Sequence, residues 1–520
     1  MLEQELKFAV SASLRKELVQ ALVRAGGDSR VHLRAMYFDT PDRQLARQKA
    51  AIRLRLEGRK WVQTFKMAGA NAMTRIELNH PCPRRTLDLS VYAGTPAEAV
   101  LQDVQDELAV RYETDVWRRR ASIRTRWGSV EIAHDEGEIR AGELTLPIHE
   151  LEFELLSGQP RAVFSAASRW LRQYGLVLDL RSKAERGDAL AEAALRIGRA
   201  APEQQQAARR AEIARFWSAR NAANVKLPHR VGVTQAKQAV TDDCFEQIAR
   251  NAALLAAADM PDGERPDGSE PLHQLRVGMR RLRSLWLLLE GRAELPPAGL
   301  RQAAREYFGE FGRIRDQDVI GETVLPSLLA AGMPPLPGPA REQRDAAGLA
   351  AGAEFQTWLL QLLAWNLGLR DAPSPSATAQ EPAEAPPQGE ARRLAGAVTP
   401  RLDGWHKRLV RDGARFAGLD DERRHTLRKL AKRLRYGLAL AGTLYSARRI
   451  RRYRKALAAL QDVLGEMNDL VMARAHYATL TEAYPQAWFA LGWIAARLRE
   501  LEEQAGSAFA RLGETRRPWK

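Results

Sequence analysis

The chain has 520 residues, with 80 Lys and Arg against 64 Asp and Glu and a formal net charge of +16. That length exceeds what one hydrophobic core organises and predicts two to four units at ~100–200 residues each, while the charge points to polyanionic partners. Cys82 and Cys244 are the only cysteines; they exclude a disulfide framework and a Cys-built zinc site, and no run of about 18 uncharged apolar residues predicts a membrane span.

From Met1 to about Gly187 short segments alternate with period two: Leu2 to Val10, Ala51 to Leu56, Lys60 to Lys66, Thr74 to Leu78, Val116 to Arg126, Ser129 to Asp135 and His149 to Leu156. These predict a β-rich domain. Half-buried strands usually turn their apolar residues inward, yet here the residues that alternate together are charged. Glu3, Glu5 and Lys7 share one face, as do Arg53 and Arg55, Arg75 and Glu77, Arg118 and Arg120, and Glu150, Glu152 and Glu154. The opposite faces carry Leu6, Phe8, Ile52, Leu54, Leu151 and Phe153 and are expected to meet a hydrophobic covering layer.

Charged faces then line an interior, and a closed sheet of about eight strands encloses a lumen of useful size. Neither sign of charge is easily buried alone, so a lumen holding carboxylates and guanidinium groups together suits a highly charged ligand bridged by metal ions. His32, His80 and His149 have no evident partner and are expected to be structural or exposed. No Walker-type phosphate loop and no nucleophile elbow is present.

After about residue 200 the sequence turns to Ala-, Leu- and Arg-rich segments with apolar residues three and four apart, which predict helices. The expected division is a first domain over 1–200, a linker over 201–224 and a helical domain over 225–515. Within the helical domain, 372–391 (APSPSATAQEPAEAPPQGEA) has no large apolar residue and reads as a disordered linker. That linker separates two related halves: His273 to Arg283 aligns without gaps to His425 to Arg435, and Gly312-Arg-Ile-Arg-Asp316 meets Gly465-Glu-Met-Asn-Asp469. An internal duplication explains both matches. On a helix His273, Arg276, Arg280 and Arg283 fall within one arc of about 80°, beside an apolar stripe of Leu275, Met279, Leu282 and Trp286. His425, Arg428, Lys432 and Arg435 repeat the row, so the two helices are expected to line a shared basic groove.

The first region resembles the CYTH family, the triphosphate tunnel metalloenzymes. The resemblance rests on Glu3-Gln-Glu5-Leu-Lys7, Tyr37-Phe-Asp-Thr40, Arg53-Leu-Arg55, Lys66, Arg75-Ile-Glu77, Asp135, Glu150-Leu-Glu152-Phe-Glu154 and Ser182-Lys183-Ala-Glu-Arg186-Gly187, in that order. It implies an eight-stranded antiparallel tunnel with flanking helices that hydrolyses inorganic triphosphate with Mg2+ or Mn2+. Carried over motif by motif, Glu3, Glu5, Asp135, Glu152 and Glu154 would be metal-side carboxylates. Lys7, Arg53, Arg55, Lys66, Arg118 and Lys183 would grip phosphate, joined by Arg75 and Arg120 in the assumed strand register, and Glu5, Lys7, Arg53 and Arg55 would form the catalytic set.

The second region resembles the CHAD family, the conserved-histidine α-helical domain, through His273 to Arg283, Arg315-Asp-Gln-Asp318 and His425 to Arg435. That resemblance implies two pseudo-symmetric four-helix bundles whose basic surface binds inorganic polyphosphate through His273, Arg276, Arg280, Arg283, His425, Arg428, Lys432 and Arg435. The second half departs from the first, with Asn468-Asp469-Leu470 standing where the first has Arg315-Asp316 and Asp318.

The expectation is therefore a cytoplasmic, metal-dependent triphosphatase that also binds polyphosphate and gathers at polyphosphate granules, with no membrane partner. The alternatives keep the tunnel but change the substrate or reaction, to ATP, thiamine triphosphate or adenylate cyclisation, or drop catalysis for a polyphosphate- or nucleic-acid-binding scaffold. Nucleic acid is disfavoured because few aromatic residues interleave with the basic helices.

Overall fold

The structure, a computed structural model, describes residues 2–27, 29–69, 71, 73–223, 225–228, 230–256, 268–336, 345–369 and 393–520, without side chains at 315–319 and 322. The expected linker over 372–391 and the side chains of Arg315 to Asp318 lie outside the described residues. The chain divides into two compact units. The first takes in 1–220 with 249–271 and 346–372, the second 221–248, 272–345 and 373–520.

The first unit is built on one antiparallel sheet of nine strands among the described residues: β1 (Leu2–Ala9), β2 (Arg30–Asp39), β3 (Ala50–Glu57), β4 (Lys60–Ala68), β5 (Thr74–Cys82), β6 (Ala109–Thr125), β7 (Gly128–Ala141), β8 (Leu144–Gly158) and β9 (Val177–Leu178). Their order is β5-β4-β3-β2-β6-β7-β8-β1-β9, and a further β1–β5 pairing closes the first eight into a barrel. The eight-stranded tunnel expected from the alternation is thus the observed fold, with β9 added beside β1.

Residues paired across a ladder point to the same side of a sheet, so the register settles which side chains face inward. Glu3 lies opposite Arg75, Glu5 opposite Glu154 and Lys7 opposite Glu152. Tyr37 lies opposite Arg53, Lys66 opposite Glu77, Arg118 opposite Asp135, and Asp135 opposite Glu150. The charged residues thus share one face of the closed sheet. The other face is apolar and covered: Phe8 and Phe153 meet edge to face at 5.6 Å and Phe153 meets Trp170 at 6.3 Å. Trp170 lies on the fourth of the helices that accompany these strands in residues 2–220: α1 (Arg15–Arg24), α2 (Gln44–Arg47), α3 (Pro96–Gln102), α4 (Arg161–Tyr174), α5 (Lys183–Gly198) and α6 (Gln205–Phe216).

One end of the lumen is not charged. Ala35, Tyr37, Tyr112, Val116, Ile139, Leu146 and Ile148 form a buried cluster there with Leu190 and Ala191 of α5. Helix α5 therefore plugs the barrel with an apolar face, worth about 25 cal/mol per Å2 of area removed from water. Its start is fixed by Ser182, whose hydroxyl accepts from the Glu185 amide at 3.1 Å, a standard N-cap. The cap places Lys183 at the first helical position.

The rest of the chain is helical, as its composition predicts: α7 (Val233–Ala256), α8 (Ser269–Leu289), α9 (Ala298–Val319), α10 (Leu325–Ala330), α11 (Ala346–Ala351), α12 (Ala353–Asn366), α13 (Leu394–Gly413), α14 (Asp421–Ala441), α15 (Ala447–Ala478) and α16 (Ala487–Glu514). Helices α11 and α12 and the last turns of α7 belong to the first unit, and the others to the second. In α8 the expected stripe of Leu275, Met279, Leu282 and Trp286 is buried, and in α14 Leu427, Leu430, Leu434 and Leu438 are buried likewise. No helix among the described residues is long and apolar enough to cross a membrane.

The plug leaves no room at one position: a Cβ on Gly187 of α5 would collide with the Tyr112 ring. Gly187→Ala should destabilise the protein by about 1–3 kcal/mol through overpacking, read as a lower unfolding midpoint in denaturant.

Candidate functional site

The lumen beside the plug concentrates ion pairs. Arg118 donates through Nε and Nη2 to the two carboxylate oxygens of Asp135, both at 2.6 Å, and through Nη2 to Glu152 at 2.6 Å. Lys183 places Nζ 2.6 Å from Asp135 and 3.1 Å from Glu152, and also bonds Glu150. Arg186, one turn along α5, pairs with the same Glu150. Lys7 lies 3.2 Å from Glu5 and 3.1 Å from Glu152. Asp135, Glu150 and Glu152 are all buried and offer oxygen atoms within 4.8 Å of one another.

A second group sits on β1, β4 and β5. Lys66 donates to both oxygens of Glu3, at 3.0 and 2.8 Å, and lies 2.6 Å from Glu77. Arg53 donates to the Tyr37 hydroxyl at 3.1 Å and lies 3.9 Å from Glu77, while its buried Nε has no hydrogen-bond partner. Arg55 bonds Glu57 through Nε at 2.7 Å. Glu154 is half-buried on the same face, and Arg75 donates to the Thr74 carbonyl at 2.8 Å. Arg120 stands at the rim, 53% exposed and 3.9 Å from Glu131.

The surrounding charges displace the titrations of these groups. Burial would raise Asp135, but Arg118 and Lys183 outweigh it and hold the carboxyl down at about 2. Glu152 is lowered too, as Lys183, Lys7 and Arg118 overcome its burial. Glu3 moves the other way: burial, helped by Glu5 and Glu77 and opposed by Lys66, pushes it up to about 8. Glu154 is also raised by burial, with Glu131 and Glu5 adding. Among the cations, Arg55 is pushed down to about 10 by burial and by the like charges of Arg53 and Arg118, which Glu57 only partly offsets.

In the second unit the basic rows of α8 and α14 come together. The guanidinium groups of Arg276, Arg280 and Arg283 surround one ring, Phe308 of α9, at 5.2, 5.4 and 4.8 Å, within the range of cation–π attraction. Arg280 also reaches the Tyr436 hydroxyl of α14 at 3.4 Å. Lys432 on α14 is pushed down to about 6 by burial and by the fields of Arg280, Arg428 and Arg276, with Asp469 opposing. Arg428 lies 3.9 Å from Asp469, and His425 bonds Asn468 at 3.0 Å through Nδ1. Arg435 faces Gln461 at 3.3 Å, and His273 is exposed on α8.

The lumen therefore gathers Glu3, Glu5, Lys7, Arg53, Arg55, Lys66, Arg75, Arg118, Asp135, Glu152, Glu154 and Lys183 on one face, with Arg120 at its edge. Three participants were not assigned site roles from the sequence. Glu77 bonds Lys66 at 2.6 Å, and Glu150 joins the tight carboxylate cluster; alternation with Arg75 and with Glu152 and Glu154 was the available signal. Arg186 follows Lys183 by three residues, the spacing of neighbours on a helix face. His32 is structural, bonded to Asp115 at 2.6 Å and stacked on Trp117.

A closed tunnel with an ionic lumen is carried on the same chain as a basic helical unit. Residues 1–187 match the CYTH domain and residues 239–478 the CHAD domain, so the chain carries a CYTH domain followed by a CHAD domain. An inorganic triphosphatase of Haemophilus influenzae is 31% identical over 194 residues, which cover 36% of this chain and 54% of that protein; the chain thus spans about half the length of the curated relative. Among solved structures, the CHAD domain of Ricinus communis is similar at 29% identity and a TM-score of 0.45, covering 58% of this chain and 98% of that one. A protein of Pyrococcus horikoshii matches at 20% identity and a TM-score of 0.25, covering 35% and 96%.

Because Asp135 is depressed in the folded chain below the ordinary aspartate value of about 3.9, its stabilisation is complete above that value and is lost as pH falls through about 2. Asp135→Asn also leaves Arg118 and Lys183 buried with less counter-charge. In metal-free buffer it should cost about 3–5 kcal/mol near neutrality and flatten the acid limb of the stability profile, both readable by denaturant titration at a series of pH values.

Proposed function

We propose that the tunnel hydrolyses a linear triphosphate, inorganic triphosphate first, with a divalent cation, and that the helical unit holds inorganic polyphosphate. The observation that carries the first half is the pair of opposite imbalances in one closed lumen. Burial, with Glu5 and Glu77 adding and Lys66 opposing, pushes Glu3 up to about 8, while burial with the like charges of Arg53 and Arg118 pushes Arg55 down to about 10. Each place would be relieved by a counter-ion, and a metal–phosphate chain brings both signs at once.

The donor set fits the cation. Asp135, Glu150 and Glu152 present hard oxygens within 4.8 Å, suited to Mg2+ or Mn2+, and Glu3, Glu5 and Glu154 extend the set along β1 and β8. A bound ion would supply charge neutralisation on the phosphates and a more acidic water. The chain's own part is positioning. Arg53, Arg55 and Arg118 offer planar forks to non-bridging oxygens, and Lys7, Lys66 and Lys183 offer point charges. In hydrolysis the water oxygen bonds to the terminal phosphorus as the bridging P–O bond breaks, releasing phosphate and diphosphate. Such a reaction asks little covalent chemistry of the protein. The activity named for the H. influenzae relative supports hydrolysis over cyclisation.

For the helical unit the support is the gathering of cations on α8 and α14: Arg276, Arg280 and Arg283 stand around the Phe308 ring, and half-buried Lys432 lies in the fields of Arg280, Arg428 and Arg276, with Asp469 opposing. Like charges brought this close favour a polyanion.

Phosphate release from inorganic triphosphate with Mg2+ or Mn2+, compared with ATP and thiamine triphosphate, tests the first half. Glu5→Ala and Arg55→Ala should each lower turnover about a hundredfold or more; a folded parent inactive on all three substrates would overturn the reading. For the second half, an anion stabilises charged Lys432, so binding takes up protons and polyphosphate affinity should fall as pH rises above about 6. Calorimetry in two buffers of different protonation enthalpy reads that uptake, and Lys432→Arg should abolish most of it while keeping binding.

A further inference from the structure

The segment that delivers Lys183 and Arg186 to the lumen is short and runs along an open sheet edge. Strand β9 pairs with β1 through Leu178 opposite Phe8 and Val177 opposite Ala9, and the Asp179 amide donates to the Lys7 carbonyl at 3.1 Å. Among the described residues no tenth strand pairs with its other edge. That edge is met instead by a side chain from far along the sequence: the Leu178 amide donates to Oε1 of Gln356 at 2.9 Å. Gln356 is itself fully buried on α12, and its Nε2 donates to the Ala350 carbonyl at 2.6 Å.

A second long-range contact falls on the first turn of α5. Arg250 of α7 pairs with both carboxylate oxygens of Glu185, through Nη2 at 2.9 Å and through Nη1. Glu185 lies between Lys183 and Arg186, the two residues that bond Glu150. A third observation agrees with these. A cavity of about 40 Å3 lined by Lys7, Glu150 and Arg186 is walled on another side by Ala253 and Leu254 of α7. Arg250, Gln356, Leu178 and Glu185 all belong to the first compact unit, although Arg250 and Gln356 lie within the stretch that matches the CHAD domain.

We propose that Arg250 and Gln356 are positioning residues of the tunnel: the CHAD-matching part of the chain supplies the two braces that hold the Leu178–Arg186 segment, and so Lys183, in register with Asp135, Glu150 and Glu152. Gln356 acts as a one-residue substitute for a missing edge strand. Arg250 fixes the rotation of the first turn of α5, which decides whether Lys183 or Glu185 points into the lumen. Both residues act through the Leu178–Arg186 segment, so loosening them shifts the phosphate-binding side of the tunnel, while Asp135, Glu150 and Glu152 are held by β7 and β8. The proposal rests on the triphosphatase reading above.

The test uses the full chain. Arg250→Glu places like charge against Glu185, and the double variant Arg250→Glu with Glu185→Arg restores the pair with its polarity reversed. Against inorganic triphosphate, Arg250→Glu should raise KM by about threefold or more with a smaller change in kcat, and the double variant should return KM to within about twofold of the parent. Gln356→Met keeps the volume and removes both hydrogen bonds, leaving the Leu178 amide buried without a partner; its KM should rise about tenfold. A KM unchanged in Arg250→Glu and Gln356→Met, or a charge swap that fails to restore it, overturns the proposal while the triphosphatase reading stands. Should the parent turn over no triphosphate, that reading fails by itself, and amide hydrogen exchange over residues 177–188 decides the bracing. Faster exchange in Arg250→Glu, reversed in the double variant, supports it; equal exchange in parent and variants overturns it.

Discussion

Charge pairing inside a closed sheet is the constraint on which the tunnel depends. Closure removes the sheet edges and with them any route by which an inward side chain could reach bulk water except along the axis. Asp135, Glu150 and Glu152 are therefore tolerable only because Arg118, Lys183, Arg186 and Lys7 lie on them, since a buried carboxylate without such partners would take up a proton.

Helix α5 joins the two halves of that problem. Its first turn carries Lys183 and Arg186 to the carboxylates, and its next turns carry Gly187, Leu190 and Ala191 onto Tyr112, Leu146 and Ile148. The apolar seal and the ionic site are thus one rigid element apart. Tyr37 extends the link: it stacks on Tyr112 at 4.7 Å and accepts from Arg53 at 3.1 Å. A shift of α5 is consequently felt on both sides of the lumen, at Lys183 directly and at Arg53 through two stacked rings.

The tunnel was legible in the sequence to an unusual extent because its signal is an inversion of the ordinary one. Alternating Glu3, Glu5 and Lys7 facing away from Leu6 and Phe8 points to both the strand and its inner face, and five strands of the same kind favour closure over the solvated faces of a sandwich. What escaped was what depends on distance in sequence. Nothing local marks Glu150 as closer to Asp135 than Glu154 is, because the difference arises from the β7–β8 register. Likewise the placement of α12 in the first compact unit follows from its packing on α4 and β9, which periodicity cannot report. In the helical unit the apolar stripes of α8 and α14 were readable from spacing, whereas the role of Phe308 as a common platform for Arg276, Arg280 and Arg283 was not, since a single aromatic on another helix carries no pattern.

The two basic regions hold their cations by different physics, and this bears on what each can do. In the lumen nearly every cation has a carboxylate within hydrogen-bonding distance, so selectivity comes from geometry: a ligand must match a fixed array of forks and point charges. On α8 and α14 Arg276, Arg280 and Arg283 pack around the Phe308 ring, and burial with the fields of Arg280, Arg428 and Arg276 pushes Lys432 down to about 6, with Asp469 opposing. Cations held this close repel one another, and that repulsion is what lowers the Lys432 titration together with its burial. The lumen is thus an enclosed array of ion pairs, whereas α8 and α14 set their cations around an aromatic ring and beside one another.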